Sequence, residues 1–316
     1  MTGPRLGFGL PVSGSWASPA NLVSVAQRAE QLGYHSVWAF QRLLHPATGD
    51  WGPMYRSVLD PILSLAYVAA ATERVRLGLA VVNAPFYSPI LLAKQLSTLD
   101  VLSRGRLDAG LGLGWAEQEF EAVGVPQARR GARLTEFVGC LKAIWQDEVV
   151  DFAGEFYRVP PARVEPRPVQ RPHPPLLLGG GAEAALRRVG RIADGWISAS
   201  RHDLRSIGDD IAVMKQAAEQ AGRDPAALRF IVRGVLDLQD EDAAAEPAGA
   251  DEAAERRPLH GTAAQIRHDL DALAEQGVGE VFLDLNFDPK VGSPDADPAA
   301  SLRYAERVLT TFAPTG

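Results

Sequence analysis

Gly179-Gly180-Gly181 runs straight into a helical stretch, Ala182 to Ile192. Glycines let backbone amides approach an anion, and a helix N-terminus adds a favourable field. The run can therefore cradle a phosphate, or it can be a tight turn. Phe40-Gln41-Arg42 offers an apolar wall, an amide and a fixed cation. Arg42 can orient an anionic ligand or polarise a carbonyl, but its high pKa makes it a poor proton donor. Trp115 follows Gly110, Gly112 and Gly114. It can wall a ligand or pack. Trp16, His45, Trp51 and Tyr55 fall in loop-like stretches, where they can line a pocket or pack on one another.

Several chemistries are excluded. The glycines at 110, 112 and 114 do not continue as a dinucleotide fingerprint, because Trp occupies 115 and Glu occupies 117. Six scattered histidines and a single cysteine predict no metal set and no internal disulfide. Ser13-Gly14-Ser15 lacks the context of a nucleophile elbow.

The elements that must position these residues alternate. Apolar runs predict strands at 6–10, 34–40, 75–82, 106–113, 176–178, 196–199, 228–236 and 279–285. Helical spacing follows each, beginning at Ser18-Pro19, Asp60-Pro61 and Ser88-Pro89, where a cap residue precedes a proline at the first helical position. Further helices are predicted at 129–146, 182–192, 204–221, 263–276 and 298–312. Eight such units imply parallel strands and a closed (β/α)8 TIM barrel, with an open doubly wound sheet as the alternative. In a barrel, chemistry gathers where strands end. Those exits hold Gln41 and Arg42, then Asn83 to Phe86, Gly112 to Trp115, Gly179 to Gly181, Ser198 to Ser200, and Arg233-Gly234. Trp38, Trp145 and Trp196 read as packing residues. The proline-rich stretch 151–175 admits neither a regular helix nor a central strand and predicts a surface excursion between strands four and five.

The 316 residues are read as one domain of residues 1–316. A hydrophobic share of 46% suffices for one large core. The net charge of −7 argues against nucleic-acid binding. Much of it lies in 237–258, where eight acidic residues face two arginines, so that stretch is expected to be a mobile lid or a solvated, flexible insertion after strand seven. No leader and no apolar run long enough to span a membrane is visible, which predicts a cytoplasmic protein.

Val75-Arg76-Leu77-Gly78, Ala93-Lys94-Gln95, Thr98 to Arg106, Gly110 to Trp115 with Glu119-Phe120, and Pro174 to Gly181 running on to Asp194-Gly195-Trp196 together resemble the bacterial luciferase-like superfamily. The chain looks most like its F420-dependent oxidoreductase branch. The resemblance implies a barrel that binds coenzyme F420, or FMN as the alternative, across its mouth. It places the phosphate near Gly179, Gly180 and Gly181, a non-proline cis peptide at Ala80–Val81 against the ring, and Asn83 at the ring's polar edge. Phe40, Gln41, Gly112, Gly114 and Ser198 complete the expected coenzyme site, with Arg42, Trp115 and Gln41 at the reacting centre. Trp16, His45, Trp51, Tyr55 and Phe86 are expected to form the substrate pocket. Family dehydrogenases carry Asp-His where this chain has Gln41-Arg42, and an acid where it has Trp115. The expectation is therefore an F420H2-dependent reductase of an activated C=C, C=N or C=O bond in a small or peptide-like metabolite. An FMNH2-dependent monooxygenase served by a separate flavin-reducing enzyme is the alternative, and a non-catalytic barrel is a third. Dimerisation through barrel helices is implied as well.

Overall fold

The computed structural model describes residues 3–240 and 256–314. Eight parallel strands form a closed ring: β1 (Arg5–Gly9), β2 (Ser36–Ala39), β3 (Arg76–Leu79, resuming at Val82–Asn83), β4 (Leu107–Gly112), β5 (Leu176–Gly179), β6 (Gly195–Ile197), β7 (Arg229–Val235) and β8 (Glu280–Asp284). Each pairs with the next, and β8 pairs with β1 in the register Gly7↔Phe282. Closure removes the open doubly wound sheet as an alternative.

Helices α1 (Pro19–Gln31), α2 (Pro61–Ala69), α3 (Pro89–Leu102), the short α4 (Glu117–Ala122), α5 (Arg130–Gln146), α6 (Glu183–Ile192), α7 (Ile207–Gln220), α8 (Ala263–Glu275), α9 (Pro289–Gly292) and α10 (Pro298–Thr311) surround the barrel. Ser18 and Asp60 cap α1 and α2 through their side chains, as their Ser-Pro and Asp-Pro signals predict. Ser88 makes no such bond, so α3 starts on Pro89 alone. Helix α2 stops at Ala69 rather than near 72, because the Thr72 hydroxyl and Arg106 take over the last carbonyls. The proline-rich excursion contains an antiparallel hairpin, 150–153 with 158–162, outside the barrel. Only the ends of the acidic stretch 237–258 can be placed: Asp237-Leu238 pairs with His260-Gly261, and 241–255 lies outside the described residues. Among the described residues, no helix is long and apolar enough to cross a membrane.

The barrel interior is layered. At the strand starts, buried Asp108 binds Arg76 (2.8 Å) and Arg229 (2.5 Å), tying β3, β4 and β7 together, while Glu280 accepts from Ser36. Above it the Trp38 indole stacks on Phe282 at 5.1 Å. Gly78 leaves the room for it, since a Cβ there would lie 2.1 Å from the indole. Trp38, Trp145 and Trp196 are all buried, as packing residues should be. The top layer, at the strand ends, is the site.

Candidate active site

A cavity of about 340 Å³ opens where the strands end. Its base is the break in β3: Ala80–Val81 is a cis peptide, and Val81 projects between Gly112 of β4 and Gly179 of β5. A Cβ on Gly112 would sit 2.4 Å from Val81 Cγ2, so glycine keeps this surface flat. Ile197 extends the floor, and Phe40, Tyr55, Phe287 and Trp115 wall one side. Gly179, Gly180 and Gly181 form the opposite rim. Gly180 has φ +129°, a conformation glycine supplies, and the Trp196 indole holds its carbonyl at 2.8 Å. Ala182 caps α6 without a side-chain bond, so the first amides of that helix remain open to an anion.

Gln41 is buried and engaged at both ends of its amide. Its Oε1 accepts from the Asn83 amide at 2.9 Å, and its Nε2 donates to the Tyr87 hydroxyl at 2.6 Å. It thus fixes the chain where β3 resumes. Ser198 lines the cavity, and its hydroxyl accepts from the Arg233 amide at 2.9 Å.

Arg42 is no free surface cation. Its Nη1 donates to Glu119 Oε2 at 2.9 Å, and Glu119 Oε1 accepts from the Leu43 amide at 2.7 Å. The Glu119 side chain is fully buried. The guanidinium also lies 4.7 Å from the Trp115 ring centre, 4.8 Å from Tyr55 and 5.3 Å from Trp51. Burial lowers the Arg42 pKa, and Glu119 opposes that shift. The result is a neutralised cation inside an aromatic box at the cleft's edge.

Arg233, at the end of β7, enters the same layer. It donates to the Ala80 carbonyl, faces Asp284 at 3.5 Å and lies over Phe40, Phe282 and Phe287. Its Nε has no hydrogen-bond partner among the described residues. Burial pulls its pKa down, against Asp284 and Tyr55.

The cavity brings together Phe40, Gln41, Arg42, Tyr55, Ala80, Val81, Asn83, Gly112, Gly114, Trp115, Gly179 to Gly181 and Ser198. Other expected residues fall elsewhere. Trp16 is completely buried in the main core, so it packs rather than lining a pocket. Phe86 packs edge-on against Phe120 at 5.0 Å, behind Gly114. His45 and Trp51 do not line the cleft; Trp51 meets it from behind, packing on Trp115 at 4.9 Å and facing the Arg42 guanidinium at 5.3 Å, with His45 edge-on to Trp51. Sequence reasoning placed Arg233 at a strand exit without giving it a role, and it gave no site role to Glu119, Tyr87, Arg130 or Phe287. Arg233 carried a usable signal, a charge inside an otherwise apolar strand; Phe287 carried none.

Comparison with known proteins fits this geometry. The family model described as Luciferase-like monooxygenase matches residues 5–296. Mycobacterial relatives of uncharacterised function are 40% identical over 57% of the chain, which spans 64% of their length. The FMNH(2)-dependent dimethylsulfone monooxygenase of Pseudomonas putida is 29% identical over 87% of this chain and 75% of its own. The F420-dependent glucose-6-phosphate dehydrogenase of Kineococcus radiotolerans is 31% identical over 77% of this chain and 71% of its own. The crystal structure of monooxygenase RslO1 from Streptomyces bottropensis superposes with a TM-score of 0.77 at 27% identity, covering 98% of this chain and all of that one.

Proposed function

We propose a function from one premise: the chain belongs to the luciferase-like monooxygenase family and is an oxidoreductase of that family. In our reading the cleft takes reduced FMN, and the protein is an FMNH2-dependent monooxygenase of a small molecule, supplied by a separate flavin reductase. One observation carries this reading: two proteins named as monooxygenases, one 29% identical over 87% of this chain and one superposing with a TM-score of 0.77 at 27% identity, match it along most of its length. Among the described residues lining the cleft there is no carboxylate, imidazole, ammonium or thiol, which weighs against oxidation of an alcohol and leaves reduction of an acceptor as the second reading. Monooxygenation asks the protein for a held ring, a positioned substrate and a dry site.

The residues fit the coenzyme. Val81 and Ile197 offer a flat apolar floor, and Gly112 leaves it uncovered. The Gly179–Gly181 rim and the open start of α6 suit a phosphate. When bound, a reduced flavin would supply two electrons and two protons which, with dioxygen, put one oxygen atom on the substrate and release the other as water. The chain's own residues hold and shield. Phe40, Tyr55, Phe287 and Trp115 exclude water, and the Glu119–Arg42 pair stiffens that wall. Arg233 sets a buried cation with an unused Nε hydrogen at the floor, favouring a ring that gains negative charge.

A second reading is favoured by the F420-dependent relative. Here the cleft holds F420H2, and a hydride passes to an activated C=C, C=N or C=O bond while water supplies the proton. Anaerobic titration with FMNH2 and with F420H2, followed by oxygen-electrode measurements, separates the two. FMNH2 binding and substrate-dependent oxygen uptake are expected. Tight F420H2 binding without FMNH2 binding overturns the first reading.

We also infer that the chain self-associates. Leu63, Tyr67, Leu91 and Leu102 of α2 and α3 are each more than half exposed. Sedimentation should give twice the chain mass, and Leu63→Asp with Leu91→Asp should give a monomer. A monomeric parent chain contradicts the inference.

A further inference from the structure

Four of the six tryptophans are buried and Trp51 is half-buried, but Trp115 stands 54% exposed at the mouth of the redox cleft. A single exposed apolar side chain is ordinary; this one is distinguished by how firmly it is held. Gly114 turns the chain at φ +71°, a conformation glycine supplies, and Arg130 Nη1 donates to its carbonyl at 3.1 Å. Gln127 Nε2 donates to the Trp115 carbonyl at 3.5 Å. The ring itself meets Trp51 at 4.9 Å and Tyr55 at 6.2 Å, and the Arg42 guanidinium lies over it at 4.7 Å. Glu119 anchors that guanidinium in turn. The indole is therefore a fixed panel with a backing, and a ligand that covers it loses little affinity to ordering it.

The backing also gives the panel a polarity. Arg42 lines the cleft and Glu119 does not, so the pair turns its positive end toward the indole and the cleft. The guanidinium already draws on the negative face of the ring, and a second cation stacked on the same ring would be repelled by the first. A neutral conjugated ring meets no such opposition and buries its own face together with that of the indole. The aromatic surface continues from Trp115 through Tyr55 to Phe40 and Phe287. Among the described residues lining the cleft, no carboxylate is present to neutralise an ammonium.

We propose that Trp115 is the platform on which the substrate stacks, and that the substrate is a planar conjugated molecule, aromatic or enone-like, without positive charge. That this molecule is the one oxidised or reduced rests on the function proposed above; the stacking site stands on its own residues.

The test compares the full chain with Trp115→Leu and Trp115→Phe, with thermal melting to show that all of them fold. Probes of one size are titrated by calorimetry, with and without saturating FMN: 2-naphthol, the saturated decahydro-2-naphthol, and 2-naphthylmethylammonium. The parent chain should bind 2-naphthol about fivefold or more tighter than either of the others. Trp115→Leu should weaken 2-naphthol by about tenfold or more, and Trp115→Phe, which keeps an aromatic face, should recover most of that loss. FMN, which Trp115 is expected to meet only at the ring's edge, should weaken less. No binding of 2-naphthol by the parent chain, equal affinity for all the probes, or unchanged 2-naphthol binding in Trp115→Leu overturns the proposal. A loss for FMN as large as that for 2-naphthol also overturns it, because the indole then serves the coenzyme. If neither FMN nor F420 binds the parent chain while 2-naphthol still depends on Trp115, the redox reading fails and the platform stands.

Discussion

Glu119→Gln is the most informative single change at the site. It keeps the shape of the side chain and an acceptor for the Leu43 amide, and it removes only the charge that faces Arg42. At the observed 2.9 Å, with an effective dielectric of about 20, the attraction is about 6 kcal/mol before desolvation. Part of the Arg42 desolvation is already met by three aromatic faces, each contributing roughly 0.5–2 kcal/mol. Leaving the cation unpaired in this box should therefore cost about 3 kcal/mol, at the low end of the range for broken buried pairs. Urea unfolding of the parent chain, Glu119→Gln, Arg42→Met and the double variant measures it. The double variant should recover at least about 1 kcal/mol relative to the sum of the two single losses, because it removes the stranded charge as well. Ring affinity should fall in Glu119→Gln, since the Arg42 guanidinium under Trp115 and Tyr55 is no longer anchored by a carboxylate. A loss below about 1 kcal/mol, or strict additivity, refutes the claim that a buried pair builds this wall.

Other outcomes follow from groups away from the cleft. Burial alone would raise the Asp108 pKa, but Arg76 and Arg229 together hold it below the usual carboxylate range. Asp108→Asn should lose about 3–5 kcal/mol in urea unfolding yet bind riboflavin as the parent does, because it acts at the opposite end of the barrel. Burial, assisted by Arg5, pushes His35 down to about 4. The unfolded chain takes up that proton below about pH 6.5 and the folded chain resists until about pH 4, so its contribution is complete above 6.5 and is lost between the two. His35→Gln should flatten the stability profile there by up to about 3 kcal/mol, and parallel profiles would contradict this. Burial pushes the Cys140 thiol up to about 11, so a native-state thiol assay at pH 8 should react orders of magnitude more slowly than in urea.

The barrel was legible because its strands are short, nearly continuous apolar runs, and because Ser-Pro and Asp-Pro pairs mark helix starts. The order of the strand exits placed Gln41, Asn83, Trp115 and the glycine rim on one face before any coordinates. Contacts between residues far apart in sequence were not legible. Nothing local to Arg42 announces Glu119, 77 positions later, as its partner. Trp16 and Trp51 are both loop tryptophans by pattern, yet one is sealed in the core and the other packs at the cleft's edge. The break in β3 is invisible to periodicity, since Ala80 and Val81 read as more strand; only the family resemblance pointed to it. Arg233 shows how alternation could have been pushed further. It lies two residues after Ile231, which packs in the barrel interior, so it must face inward as well.

The central claim is that a flavin-type ring lies on Val81 with its phosphate at Gly179–Gly181. A crystal structure of the chain with FMN, and a second with F420, tests it directly. The account predicts one ring per chain, its face against Val81 and Ile197, Trp115 at its edge, and the phosphate on the amides of Gly180, Gly181 and the start of α6. A ring bound anywhere else, or no ring under saturating FMN and F420, contradicts it.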